Sequence, residues 1–251
     1  MTSFVLKIIA VISMVCDHVG DSIVHKLSFL NVIGRIAFPI FAFQISEGYR
    51  HTHNLKNYFI RLGIFAGISQ IPFMLFLSTF NPGTHTFNIF CTLFLGLVAI
   101  TLFDKFYYAG TDASVRSLKD ETLSLRNSRQ HKFLWKLLGI FSVVLMMAIA
   151  HFTSCDYGWY GVAIIFIFYY LKKHLLWLDL SFMTVTGIKY IQYYTMAPSI
   201  WYVYLFIATC TSLIFIHLYN EKKGKSMKYF LYIFYPAHLL LLYFINYLLN
   251  G

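Results

Sequence analysis

Residues 87–106 read FNIFCTLFLGLVAITLFDKF, a run of 20 residues whose charged pair, Asp104 and Lys105, stands at one end. A helix needs about 20 mostly apolar residues to cross the hydrocarbon core of a bilayer. The run is continuous rather than alternating, which favours a helix over a strand of an outer-membrane barrel. This stretch therefore predicts a transmembrane helix.

The same pattern recurs eight times along the chain. The sixth run is short and the seventh is polar, so eight or ten spans remain open alternatives to nine. We expect an all-α, polytopic membrane bundle that forms one integral-membrane domain over residues 1–251, with a polar loop at about residues 107–131. The predicted spans cover residues 4–22, 29–48, 58–77, 87–106, 133–151, 159–171, 175–194, 199–219 and 229–249.

The composition excludes two broad classes of protein. Of the 251 residues, 59% are apolar and 12% are charged, whereas an ordinary soluble domain has roughly 25% charged residues. A soluble globular domain is therefore excluded, and so is a disordered chain, which has few apolar residues.

The net charge of +10 raises the question of nucleic acid, but the positions of the charges give a different answer. Cytoplasmic loops of membrane proteins retain lysine and arginine. The loops after the odd-numbered spans hold one basic residue, Lys26, which places the N-terminus inside. A nucleic-acid partner is not needed, and the bilayer is the expected partner of these charges. The loops after the even-numbered spans hold 14 of the 20 basic residues: Arg50, Lys56, Lys105, Arg116, Lys119, Arg126, Arg129, Lys132, Lys172, Lys173, Lys222, Lys223, Lys225 and Lys228.

The first span carries ionisable residues, which cost several kcal/mol inside a membrane and usually face a cavity or a partner. Lys7 and His18 are 11 residues apart, so they share one helix face at an axial separation of about 16 Å. A phosphate held by Lys7 and a reactive group at His18 would suit an extended anionic molecule such as coenzyme A. In the alternative interpretation, Lys7 reaches the inner headgroups and His18 makes a helix contact.

Acidic and basic groups accompany His18 in the first two spans. Asp21 is three residues beyond His18 and can hold its imidazole as a general base requires. Alternatively, Asp17 and Asp21 lie at the outer interface. Arg35 either pairs with one of these carboxylates or stabilises an oxyanion near His18. Glu47 lies near the inner end of the second span.

The same segments resemble the TraX family. The resemblance rests on LKIIA at residues 6–10, DHVG at 17–20, IGRIAFPIFAF at 33–43 and EGYRHT at 47–52. It continues in NLK at 54–56, RL at 61–62 and ISQIPF at 68–73, and it returns in GK at 224–225 and FYPAHL at 234–239. The segment from about residue 103 to residue 159 does not align by eye.

The resemblance implies an activity and a site. The best-known activity of that family is N-terminal acetylation of F-pilin, and the family is similar to the acyltransferase-3 membrane enzymes. Those enzymes carry arginine or lysine, ten residues and then histidine in their first helix, a pattern that Lys7 and His18 match. The resemblance implies a catalytic histidine at His18 and an acetyl-CoA site that includes Lys7, Lys56 and Arg61.

These expectations lead to one functional hypothesis and one alternative. We expect an acetyltransferase of the bacterial inner membrane that uses acetyl-CoA, with Lys225 as a further contact for its phosphates. The acceptor is a peptide amine, a small molecule or a glycan. The alternative is a transporter, or a pilus or conjugation assembly protein, without acyl-transfer chemistry.

Two further histidines, His151 and His238, are candidates to line the cavity that His18 is expected to face, although packing explains His238 equally well. The ten histidines show no HxxxH or HxxE spacing on a helix face, so no zinc site is expected. Lys189, in the seventh span, has no predicted partner.

Overall fold

The computed structural model describes residues 1–24, 27–116 and 124–250. Most of these residues are helical, and an isolated bridge between Phe87 and Cys155 is the β-type pairing found among them. The predicted all-α fold is confirmed. The helices are α1 (Ser3–Val19), which continues as a π-helical turn (Gly20–Val24), α2 (Phe29–Gly34), α3 (Ala37–His51), α4 (Leu55–Ser78), α5 (Ile89–Arg116), α6 (Ser124–Phe152), α7 (Gly158–Tyr170), α8 (Leu175–Met196), α9 (Trp201–His217) and α10 (Lys228–Asn250).

The chain is a polytopic membrane protein. Six helical segments of the described residues are long and apolar enough to cross a membrane by length and composition, and α7 and α9 are shorter apolar helices. The helix α8 is not among the six; it contains Asp179, Lys189 and several hydroxyl groups. The six segments are Ser3–Val24, Phe29–His51, Leu55–Ser78, Ile89–Tyr108, Phe133–Phe152 and Tyr229–Leu249.

Large apolar side chains on the outside of the bundle agree with this assignment. Phe152 is 83% exposed and Leu248 is 80% exposed. A soluble monomer rarely leaves broad apolar faces open to water, whereas a lipid-facing surface has this composition. Polar groups gather in the interior instead, where Ser46, Asn88 and Thr186 are fully buried.

Two predicted boundaries differ from the structure. The second span is broken at Arg35 and Ile36, because Pro39 has no N–H to donate to the carbonyl of Arg35 and its ring would clash there. The predicted loop at residues 107–131 is shorter, since α5 continues to Arg116 and α6 begins at Ser124. Polar residues favour a loop in sequence, but a helix can continue beyond the apolar layer. Residues 117–123 of this loop lie outside the described residues.

The first two spans approach each other closely through small residues. A Cβ atom built on Gly34 would lie 2.3 Å from Cβ and 2.7 Å from Cα of Asp17. A Cβ atom on Gly20 would lie 2.7 Å from Oδ1 of Asn31. These glycines let α1 and α2 touch at the level of Asp17.

We expect Gly34→Ala to destabilise the protein by about 1–3 kcal/mol, because the new methyl group would overlap the backbone of Asp17 and not only a movable side chain. Gly67→Ala is the matched control, since nothing lies within 4 Å of a Cβ atom at that position of α4. The measurement is the thermal unfolding midpoint of each variant in detergent. Equal midpoints for the two variants would contradict this packing.

Candidate functional site

One cavity of about 740 Å³ runs through the interior of the bundle. It is lined by residues from α1, α3, α4, α5, α8 and α10, and from the loops before α7 and α10. Several predicted site residues line this cavity, namely Lys7, Asp17, His18, Asp21, Arg35, Glu47, Arg61 and Lys225. The structure therefore brings most of the candidates from both ends of the chain to one space.

The helix α1 runs along the cavity, so its first and last turns mark the two ends of that space. Near its start, the hydroxyl of Ser3 donates a hydrogen bond to Oε1 of Gln44 at 2.8 Å, and the N–H of Phe4 donates to the carbonyl of Lys223 at 3.2 Å. Near its end, Asp17 accepts a hydrogen bond from Arg35. Lys7 and His18 both line the cavity, at different depths along this helix.

His18 contacts a second histidine rather than the predicted carboxylate. Its Nδ1 lies 2.7 Å from Nε2 of His238, and Nδ1 of His238 lies 2.9 Å from the carbonyl oxygen of Phe234. The expectation that Asp21 holds the imidazole of His18 is wrong, because the side chain of Asn31 donates to Oδ1 of Asp21 at 2.7 Å. Asp21 therefore contacts Asn31 of the second span and not His18, which is three residues before it in the first span.

The carboxylates near His18 belong to a network centred on Asn31. Nη2 of Arg35 donates to Oδ1 of Asp17 at 2.7 Å. Of the two interpretations of Arg35, this contact agrees with the one in which it pairs with a carboxylate of the first span. The amide of Asn31 donates to Oδ1 of Asp17 at 3.2 Å and to Asp21. In turn, Oδ1 of Asn31 accepts hydrogen bonds from the backbone N–H and the hydroxyl of Ser28. Asn31 was not predicted as a site residue; the feature that points to it in the sequence is a polar amide inside an apolar span.

Lys189 gains a structural explanation at this end of the cavity. Its Nζ lies 4.4 Å from the ring centre of Tyr157, 4.2 Å from that of Tyr160 and 5.6 Å from that of Tyr193. Aromatic rings stabilise an ammonium group through cation–π attraction. Lys189 also lies near Asp156, which lines the cavity from the loop before α7.

Burial raises the pKa of Asp156 to about 6, although Lys189 and Arg35 oppose the shift and Asp17 adds to it. Asp156 therefore changes its charge in a physiological range of pH.

The opposite end of the cavity is basic. Lys7, Arg61, Lys223 and Lys225 line it. The guanidinium of Arg61 lies 5.7 Å from the ring centre of Tyr58. Arg61 and Gln44 each keep a buried N–H donor, Nε and Nε2, without a hydrogen-bond partner among the described residues. This end can therefore donate more hydrogen bonds than the described side chains accept.

Glu47 lies beside this basic end as a buried carboxylate with cationic neighbours. Nζ of Lys172 lies 2.8 Å from Oε1 of Glu47 and 3.0 Å from Oε1 of Glu221, and Nε2 of His51 lies 3.5 Å from Oε2 of Glu47. The contact with Lys172 lowers the pKa of Glu221. Glu47 thus has a structural role as the centre of an ion-pair group.

Three candidates lie outside the cavity. Lys56 is exposed at the start of α4. His151 is exposed at the end of α6 beside the ring of Phe152, so the expectation that it shares the cavity with His18 is wrong. His238 is buried behind His18 and does not line the cavity itself. Among the described residues, no group of three His, Cys, Asp or Glu side chains is placed to hold a metal ion.

Residues 3–246 match the family model described as "TraX protein". The chain belongs to the TraX family. A relative from Dichelobacter nodosus, named "Probable fimbrial assembly protein FimC, serogroup H1", is 28% identical to this TraX-family chain over 96% of the chain and 94% of the relative.

An uncharacterized protein of Rickettsia prowazekii (strain Madrid E) is 34% identical over 42% of this TraX-family chain and 40% of that protein. No solved structure matches.

We expect Asp156→Asn to change how stability depends on pH. The pKa of Asp156 is about 6 in the folded protein, against an ordinary value of 3.8, so between these pH values the folded protein holds a proton that the unfolded chain releases. The wild type therefore gains about 1 kcal/mol from this group as the pH falls from 7 to 5, and the gain is lost as the pH rises.

The measurement is the thermal midpoint of both proteins at pH 7 and pH 5. The wild type should rise relative to Asp156→Asn by about 2–4 °C at the lower pH. An identical difference at both pH values would contradict the buried carboxyl.

Proposed function

We propose that this protein is an acyltransferase of the bacterial cytoplasmic membrane that transfers an acetyl group from acetyl-CoA to an amine or hydroxyl acceptor. The observation that carries the proposal is the shared cavity of Lys7 and His18. Their 11-residue separation along α1 corresponds to about 16 Å, so a cation and a base face one continuous space at different depths.

The basic end of the cavity fits the donor. Coenzyme A carries phosphates and amide carbonyls, which accept hydrogen bonds from lysine, arginine and amide N–H groups. Lys7, Lys223 and Lys225 supply positive charge, and Arg61 and Gln44 have donors to spare. The cavity volume of about 740 Å³ also lies in the range of small-molecule and cofactor sites.

His18 acts as the general base in this proposal. It takes the proton from the acceptor nitrogen or oxygen, whose electron pair forms a bond to the acetyl carbonyl carbon. When the carbon–sulfur bond then breaks, the coenzyme A sulfur leaves with the bonding pair and receives the proton from His18. Arg35, held by Asp17 beside the cavity, contributes positive charge at this end.

A pilus subunit is the acceptor that the comparisons favour. The Dichelobacter nodosus relative carries a name of fimbrial assembly and aligns with nearly the whole chain. An acetyltransferase that modifies a pilus peptide would fit both that name and the cavity. A small-molecule or glycan acceptor would fit the cavity but would leave the name unexplained.

We expect Lys7→Ala to bind acetyl-CoA and coenzyme A about tenfold more weakly, because a hydrogen bond to a charged group contributes about 1.5–3 kcal/mol. Lys173→Ala is the control, since Lys173 is exposed and outside the cavity. The measurement is binding to the purified protein in detergent, with ATP as a competitor that should not displace acetyl-CoA. Equal affinities for the two variants would remove Lys7 from the donor site.

We expect His18→Ala to keep its affinity for acetyl-CoA and to lose turnover by about 10²–10⁴-fold, the usual contribution of a general base. The measurement is release of the free coenzyme A thiol from acetyl-CoA, with a primary amine or water as the acceptor. Wild-type turnover in His18→Ala would contradict the mechanism.

The second candidate function is membrane transport or pilus assembly without acyl transfer. The name of the fimbrial relative supports assembly, and the charged side chains of Asp17, Arg35 and Glu47 that line the cavity would then form a path for protons or substrate. A folded protein that binds neither acetyl-CoA nor coenzyme A would favour this function.

A further inference from the structure

We propose that His238 is a positioning residue that fixes the tautomer of His18, so that Nε2 of His18 is the basic atom. This inference rests on the proposed function for its catalytic meaning. It rests on hydrogen-bond geometry alone for the assignment of the protons.

The assignment begins at a backbone carbonyl. Nδ1 of His238 lies 2.9 Å from the carbonyl oxygen of Phe234, and a carbonyl oxygen can only accept a hydrogen bond. Nδ1 of His238 therefore carries a hydrogen. In a neutral imidazole the other nitrogen is then an acceptor, so Nε2 of His238 offers a lone pair.

The next link transfers this constraint to His18. Nδ1 of His18 lies 2.7 Å from Nε2 of His238. Since that Nε2 is an acceptor, Nδ1 of His18 must donate. Neutral His18 is thereby left with its lone pair on Nε2, and His18 lines the cavity. A hydrogen-bonded chain from the backbone of α10 thus decides which nitrogen of His18 can accept a proton.

The arrangement of the rings supports a true hydrogen bond between the two histidines. The ring planes differ by 8° and the ring centres are 5.0 Å apart. This distance between ring centres is the one expected when both ring centres and the two nitrogens, 2.7 Å apart, lie on one straight line. Face-to-face stacking would keep the nitrogens farther apart than 2.7 Å, so the hydrogen bond lies in the plane of the rings.

Aromatic neighbours hold both imidazoles in this plane. The ring of Phe234 lies 5.0 Å from that of His238 at 9°, and the ring of Phe76 lies 5.0 Å from that of His18 at 53°. Tyr235 contacts both imidazoles at 5.6 and 6.4 Å. Rotation of either ring out of this plane would disturb these contacts, so packing holds the orientation that the two hydrogen bonds require.

A neutral imidazole replaces the carboxylate that usually orients a catalytic histidine. When His18 accepts a proton at Nε2, its Nδ1–H keeps its hydrogen bond to the lone pair of His238. The Asp21 carboxylate instead accepts a hydrogen bond from Asn31 through its Oδ1.

Three substitutions of His238 distinguish a role in positioning His18 from a role in packing alone. In His238→Gln the side-chain oxygen reaches the place of Nε2 and accepts from His18. In His238→Asn the side chain reaches only the place of Nδ1, and His238→Met offers no comparable acceptor. We expect thiol release from acetyl-CoA to fall about 100-fold in the Asn and Met variants, with acetyl-CoA affinity unchanged, and the Gln variant to restore most of the rate.

Equal losses in the Gln and Met variants would overturn the positioning role, and so would wild-type turnover in the Met variant. A direct measurement needs no activity: ¹⁵N-histidine spectra of the full-length protein, with the His18 signals assigned by their loss in His18→Ala. We expect a protonated Nδ1 and an unprotonated Nε2 in His18 of the wild type. A hydrogen on Nε2 would overturn the inference.

The two measurements distinguish the two proposals. If the wild type shows the expected tautomer but never releases thiol from acetyl-CoA, the acyltransferase function fails and the hydrogen-bonded arrangement stands. If thiol release depends on His18 but is indifferent to all three substitutions of His238, the function stands and the positioning role fails.

Discussion

The ion pair between Asp17 and Arg35, 2.7 Å across, is the interaction on which the cavity depends. It joins α1 to the break in the second span, where α2 ends at Gly34 and α3 begins at Ala37. The pair is partly buried, so removing one partner leaves the other charge inside the bundle without its counterion. The break and the pair therefore support each other: the interrupted helix presents Arg35 to Asp17, and the pair holds α1 and α3 around the space that His18 and Lys7 line.

The sequence predicts those features that depend on short-range periodicity. Apolar runs locate the helices to within a few residues outside the 107–131 region, and six of these helices are long and apolar enough to cross a membrane. Lys7 and His18 could be placed on one face, because helical geometry alone relates positions 11 residues apart. Contacts between side chains that are distant in the sequence leave no periodic pattern from which they could be predicted. His18 and His238 are 220 residues apart, and the local rule instead favoured Asp21, which Asn31 holds.

Two explanations apply to cations at the basic end, membrane topology and ligand binding, and the sequence could not separate them. Lysines and arginines beside a membrane span follow the positive-inside rule whether or not they bind a ligand. In the structure Lys172 is neutralised between Glu47 and Glu221, whereas Lys7 and Lys225 line the cavity. Only the packing of α1 against the loop before α10 distinguishes a topology signal from a candidate binding group.

The proposed pair of neutral histidines also avoids the cost of burying a further charge inside a membrane protein. A carboxylate that oriented His18 would add a buried negative charge in the resting state, and such a charge is costly unless it is paired. Two carboxylates near His18 lie with cations instead, since Asp17 pairs with Arg35 and Asp156 lies near Lys189. In the proposed arrangement, the hydrogen bond from His18 to His238 orients the imidazole of His18 without any net charge, because the last acceptor is the uncharged carbonyl of Phe234.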